Sequence, residues 1–293
     1  MTSEFNNSDV EALRPRLLGL AYRMLGTVAD AEDAVQDAYL RFQQTSNIQA
    51  PDAWLVKTTT RICVDRLRQS KRRATYVGPW LPEPVSDTWD GATHDRMELA
   101  ESLSMAFLVV LETLSPVERA AYLLREVFEY DFDEIATLLD KSAVNVRQIT
   151  ARAKKRLHVR ERRFQPEPHH ADDLATRFFT ACQTGDIETL ESLLAEDAVY
   201  YSDGGGKAHA APKPFSGVRR ISNLLEVVFR KRSNLCTLEL VTVNSQPGIV
   251  FRRDGQAIHV LTFAAEEGRI YSLYSVLNPD KLQRWSATDA GHN

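Results

Sequence analysis

The chain has little that would staple a secreted protein together and nothing that would carry it across a membrane. Its 293 residues include three cysteines, Cys63, Cys182 and Cys236, odd in number, scattered and without a Cys-x-x-Cys spacing. That argues against a disulfide framework and a thiolate zinc site, and the thiols read as reduced core residues. The longest notable apolar run, Met105 to Leu111, stops far short of the roughly 20 residues that a spanning helix needs. The opening stretch, Met1 to Arg16, is polar and lacks the apolar centre of a secretion signal. There is no internal repeat and no low-complexity tract. A cytoplasmic protein is expected, with no membrane contact, no metal and no cofactor.

What is present is charge, and it is segregated. The net charge of −4 argues by itself against a nucleic-acid partner. Yet from Lys57 to Arg73 seven basic residues, Lys57, Arg61, Arg66, Arg68, Lys71, Arg72 and Arg73, stand against Asp65 alone. From Lys141 to Arg163 nine more stand against Glu161 alone. Either stripe could be a solvated helix face. Two of them, separated by acidic sequence, suggest two separate contacts with a polyanion.

The chain is long enough for about two or three modules. Residues 8–75 read as helical, with Leu17, Leu18, Ala21, Leu25 and then Ala34, Val35, Ala38, Tyr39, Phe42 at helical spacing. Gly26 breaks the first long helix, and Thr27 can cap the next, whose first turn is acidic. Residues 76–98, with Gly78, Pro79, Pro82, Pro84 and Gly91 among acidic residues, read as a linker. A second helical unit covers 99–163 and a second linker 164–171. Residues 172–285 pass from helices at 172–183 and 186–195 to strands at 198–202, 235–244, 248–253, 256–265 and 269–276, with a helix at 218–231. The fold class expected is therefore multi-domain: two all-α domains, then an α+β domain with a curved antiparallel sheet.

The sharpest local signal is a helix-turn-helix between Asp131 and Leu157. In its first helix Ile135, Ala136 and Leu139 should face inward, and the turn carries Asp140, which tolerates a left-handed backbone better than most residues. Ser142 can cap the second helix, and Val146 and Ile149 should lock it down. Asn145, Arg147, Gln148, Ala151, Arg152 and Lys155 then point outward. Arginine, asparagine and glutamine are the side chains that make bidentate contacts with base edges in the major groove. A helical hairpin that only packs would share the spacing.

Tyr22-Arg-Met-Leu-Gly, Asp30-Ala-Glu-Asp-Ala-Val-Gln-Asp, Ala53-Trp-Leu and Asp65-Arg-Leu-Arg resemble the second domain of extracytoplasmic-function (ECF) sigma factors. Leu114-Ser-Pro with Glu118-Arg, and the helix-turn-helix, resemble their fourth domain. The resemblance covers residues 10 to 160 in order and spacing, and the first and third sigma domains are missing, as in that family. It implies binding to core RNA polymerase at the clamp helices of the largest subunit through Asp30, Asp33, Gln36 and Asp37. It implies binding of promoter DNA at the −10 element by Lys57, Arg61, Arg68 and Arg72, and at the −35 element by Asn145, Arg147, Gln148, Arg152 and Lys155. The loop of residues 43–52, where the family captures an unstacked base, lacks aromatics here.

Three further motifs, Trp80-Leu-Pro-Glu-Pro, Asp203-Gly-Gly-Gly-Lys and Asn278-Pro-Asp-Lys-Leu, resemble those of the sigma-J type of ECF factor, which carries a SnoaL-like, cone-shaped C-terminal extension. The resemblance implies regulation of the sigma core in cis. Regulatory contacts are expected from Trp80 and Glu83 to Asp203, Gly204, Gly205, Gly206, Lys207 and to Asn278, Pro279, Asp280, Lys281, Leu282. Lys207 or Lys281 is expected to pair with Glu83. Gly204 to Lys207 is not a phosphate loop, because Ala208 follows the lysine and no helix opens there. Two other classes stay open: a ligand-sensing helix-turn-helix transcription factor, with an unknown small ligand in the cone, and a SnoaL-like enzyme fused to a DNA-targeting module. Asp203, His209 and His259 are the candidates for an enzyme's Asp/His pair.

Overall fold

A computed structural model describes residues 10–69, 75–92, 102–161, 171–233 and 235–285. The chain forms two compact units. One comprises residues 1–71, 87–103 and 110–160; the other comprises 72–86, 104–109 and 161–293.

The first unit begins with helices α1 (Arg14–Leu25), α2 (Val28–Gln43) and α3 (Pro51–Gln69). Gly26, at φ 79°, ends α1 and returns its N–H to the Tyr22 carbonyl. Thr27 caps α2 by accepting the Asp30 N–H at 3.4 Å. Ala31, Ala34, Val35 and Ala38 bury one stripe of α2, and Trp54 lies half-buried, edge-on to Phe42. Arg23 is buried and donates to the Gly19 carbonyl and to Ser102 Oγ, both at 3.0 Å. Burial brings its pKa down to about 10.

The rest of this unit holds the end of α4 (Met105–Leu111), then α5 (Pro116–Tyr122), α6 (Phe132–Leu139) and α7 (Ala143–Glu161). Ser115 and Glu118 form a capping box on α5. Buried Arg119 donates to the Met24 carbonyl at 2.7 Å and pairs with Glu112 at 2.8 Å. In α6 the inward residues are Ile135, Ala136 and Leu138. Leu139, expected inside, is only half-buried. The stripe continues three residues on from Ile135, and Leu139 already leads into the left-handed turn at Asp140 (φ 52°).

In the second unit, α8 (Ala171–Thr184) and α9 (Ile187–Leu193) lead directly into β1 (Leu194–Asp203). Then come β2 (Phe215–Ser216), α10 (Val218–Ser233), β3 (Thr237–Val243), β4 (Gln246–Arg253), β5 (Gln256–Glu266) and β6 (Arg269–Val276). The sheet order is β2-β1-β6-β5-β4-β3. Contrary to the antiparallel sheet expected, it is mixed, because β1 and β6 run parallel. No hairpin joins these two; the chain returns to β1 only after β2, α10 and three further strands. Side-chain alternation fixes the faces of a strand and says nothing of its partner's direction.

Each face of this sheet carries a buried cluster. On one, Phe178 and Phe179 of α8 and Leu225 and Phe229 of α10 pack against Tyr200, Phe251, Leu261 and Phe263. On the other, Val243, Val250, Val260 and Val276 are covered by Leu81, Met105, Ala106, Leu282 and Trp285. The cover therefore includes a piece of the sequence expected to be a linker.

Candidate functional site

On α7, Asn145, Arg147, Gln148, Ala151, Arg152 and Lys155 are all exposed, while Val146, Ile149, Ala153 and Leu157 face inward. Ser142 Oγ accepts the Asn145 N–H at 3.3 Å and starts the helix. The Arg147 guanidinium lies 5.2 Å from the centre of the Phe132 ring, and Arg152 Nε donates to the Gln148 carbonyl. Lys154 and Arg156 on the flanks are tied to Glu126 and Glu118, both at 2.8 Å. Such surface pairs are worth about 0–1 kcal/mol and yield readily to a phosphate.

On α2, Asp33 and Gln36 are exposed, whereas Asp30 and Asp37 are partly used within the fold. Asp30 accepts the Thr27 hydroxyl at 2.7 Å, and Asp37 pairs with Arg66 at 2.7 Å. Leu40, which sequence reading passed over, lies 48% exposed one turn after Gln36 on the same stripe. Its spacing of four from Gln36 and seven from Asp33 was the available signal.

The basic residues of α3 face a partner inside the same unit. Lys57 Nζ donates to the Thr137 carbonyl at 2.7 Å and pairs with Asp140 at 3.2 Å; Arg61 pairs with the same carboxylate. Partial burial, and then the neighbouring Arg61 charge, hold the Lys57 pKa below its ordinary value. Arg68 pairs with Asp65 on its own helix. Arg72 lies outside the described residues.

In the second unit Asp203 closes β1 fully buried. One of its oxygens accepts the Leu81 N–H at 2.9 Å and the Lys281 ammonium at 2.7 Å; the other accepts the Tyr76 hydroxyl at 2.5 Å. Lys281 also donates to the Leu81 carbonyl and sits 4.3 Å from the centre of the Trp80 ring. Burial, and then the bond to Asp203, push the Tyr76 phenol well above its ordinary range. Asn278 donates to the Tyr76 hydroxyl at 2.8 Å and, through Oδ1, starts the short 3-10 turn Pro279–Lys281. Leu282 is buried against the same face of the sheet. Further along, Val85 and Asn244 exchange two bonds, and Trp285 Nε1 donates to the Pro84 carbonyl at 2.9 Å. The stretch from Tyr76 to Ser86 is thus stitched to the cone by backbone and side chain alike.

The lysines are assigned differently from expectation. Lys281 pairs with Asp203, and Lys207 pairs with Asp280 at 2.6 Å, while buried Glu83 has Arg284 at 3.9 Å. Lys281 is drawn in by the stronger demand of a wholly buried carboxylate. Trp80 is half-buried, and its neighbour Leu81, with no exposed surface, is the apolar residue that anchors the segment in the core. The glycines are needed for space. Gly204 is buried, and a Cβ on Gly205 (φ 58°) would run into the Asn278 amide; one on Gly206 (φ 72°) would press on Val77.

Asp203 and His259 do not come together. Asp203 aligns with Val276 and points to the covered outer face, whereas His259 pairs across the sheet with Phe251 on the opposite face. His259 stacks on Phe251, bonds Ser275 Oγ at 2.7 Å and meets Arg232. His209 is exposed on the loop. Among the described residues no group of His, Cys, Asp and Glu could hold a metal ion, and no helix is long and apolar enough to cross a membrane.

Family models for Sigma-70 region 2 and Sigma-70, region 4 match residues 10–73 and 104–157. The chain is 35% identical over 290 residues to the ECF RNA polymerase sigma factor SigJ of Mycobacterium tuberculosis, covering 94% of this chain and 92% of the relative. The chain belongs to the ECF RNA polymerase sigma factors. A Mycobacterium tuberculosis protein called probable ECF RNA polymerase sigma factor SigI is 27% identical, with 92% of each chain covered. The crystal structure of Mycobacterium tuberculosis SigJ superposes with a TM-score of 0.77 at 32% identity, over 94% of this ECF sigma factor and 98% of that chain. The expected architecture, two helical sigma regions followed by an α+β domain, is the one found, with a mixed sheet in place of an antiparallel one. As an ECF sigma factor, the protein acts in transcription initiation with core RNA polymerase and promoter DNA.

Proposed function

We propose that this ECF sigma factor docks on the clamp helices of the polymerase largest subunit through Asp33 and Gln36, with Asp30 and Asp37 beside them and Leu40 as an apolar contact inside a polar rim. Helix α7 reads the −35 duplex with Asn145, Arg147, Gln148 and Arg152, and Lys155 grips phosphate. Lys57, Arg61 and Arg68, continuing to Arg72, hold the −10 strand. The C-terminal domain regulates these contacts by holding the segment from Tyr76 to Ser86.

The observation that carries the regulatory reading is the Asp203 carboxylate, fully buried and bound to Leu81, Tyr76 and Lys281 together. Residues 76–86 join the two sigma regions in sequence, so their freedom sets the effective concentration at which the second DNA element is met once the first is bound. Asp203→Asn weakens this hold without removing bulk. The expected outcome is an altered level of transcription by reconstituted holoenzyme, with the affinity of the full chain for an isolated −35 duplex unchanged. Equal transcription from wild type and Asp203→Asn, with the segment shown to be released in the variant, would refute the regulatory role.

A further inference from the structure

The second residue of α7, Val144, is 62% exposed. Helical spacing places it on one line with Gln148, Ala151 and Lys155, the centre of the outward face. Arg147 and Lys154 lie on one flank, drawn towards Phe132 and Glu126; Arg156 lies on the other, drawn towards Glu118. The folded protein gains little from a valine here. Packing of this helix is carried by Val146 and Ile149, and a β-branched side chain lowers helix propensity where it is solvated. The N-terminal residues of such a helix are those that reach base edges. The major groove offers an apolar partner of matching size, the C5 methyl of thymine.

We propose that Val144 is a specificity-determining residue that packs on a thymine methyl in the −35 element. The proposal rests on the reading of α7 as the −35 helix. Once the preferred element has been obtained by selection from random duplexes, each of its thymines is replaced in turn by deoxyuridine. That change removes the methyl and leaves every hydrogen-bonding group in place. Binding by the full chain is then measured for wild type, Val144→Ala, Arg147→Ala and Gln148→Ala. The wild type is expected to lose about fourfold at one thymine, the factor for one methyl-sized group leaving an apolar contact. Val144→Ala should bind the thymine and uracil duplexes equally, and Arg147→Ala should keep the wild-type sensitivity to the methyl. Uracil tolerated at every position by the wild type, while Arg147→Ala or Gln148→Ala still weakens binding, overturns the role of Val144 and leaves α7 as the reading helix. Binding unchanged in all three variants overturns both.

Discussion

Two side chains in the C-terminal domain show how burial turns a charge into a constraint. Asp203 and Lys281 are 0% and 5% exposed, and each is the other's ionic partner. Removing one leaves the other charged in a dry site, which costs about 3–5 kcal/mol in comparable cases, whereas replacing both by apolar groups costs far less. Lys281→Met is therefore expected to lower the unfolding free energy by that amount, and the double variant Asp203→Leu/Lys281→Met to recover most of it, as read by denaturant titration. His259 sets the acid limit of the same domain. Burial, and then the Arg232 charge, hold its pKa well below 6.5. The unfolded chain takes up a proton near pH 6.5 where the folded chain does not, so stability is complete above that pH and falls as the pH drops through it. The slope is expected to grow below it towards about 1.4 kcal/mol per pH unit, reached roughly one pH unit lower, and His259→Gln should flatten it in unfolding curves taken between pH 7 and 5.

At the scale of elements, the contact of α3 with the turn after α6 sets two expected DNA ligands against an internal rival. Lys57 and Arg61 share the Asp140 carboxylate, which lies at the surface. Asp140→Asn keeps a residue that accepts the left-handed backbone and removes the charge. It is expected to raise affinity for a single-stranded −10 oligonucleotide by up to about fivefold, the range of an exposed pair, with a steeper dependence on salt. Unaltered affinity and slope would show that the pair does not compete with DNA. Here the sequence was easy to read locally and hard to read at a distance. The cap at Thr27, the break at Gly26 and the turn at Asp140 follow from residue type and neighbours alone, as do the inward Val146 and Ile149. The motifs at 80–84, 203–207 and 278–282 could be associated in advance, but their pairing could not. Which lysine reached which carboxylate depended on depth of burial, and the parallel run of β1 beside β6 depended on chain return; neither leaves a periodic signature. Leu40 and Val144 escaped notice for a related reason, since an apolar residue on a polar stripe reads as noise until its exposure is known.

On the scale of the whole molecule, the two sigma regions are joined by a stretch that is folded over much of its length. Leu81 to Val85 are buried, and Ser86 pairs with Val243 at the edge of the sheet. A tether of this kind should resist proteolysis, because cleavage requires local opening. Limited digestion of the full chain is expected to spare the peptide bonds from Leu81 to Val85, and Asp203→Asn is expected to admit cutting there, seen as a new pair of fragments. Rapid cleavage at these bonds in the wild type would mean that the segment is open in solution.

The outer cover of the C-terminal sheet has a consequence for inheritance. The strip that finishes this hydrophobic core, with Leu81 at its centre, is encoded between the two sigma regions and not beside the domain that it completes. Modularity is thereby lost. A recombination joining this domain to another DNA-binding protein would leave Val250, Val260 and Val276 with only Leu282 and Trp285 of their cover, and shortening the gene after the helix-turn-helix would leave Leu81 stranded. Transfer of the cone between genes therefore requires that both pieces travel together, and their residues should change in concert wherever the architecture is kept.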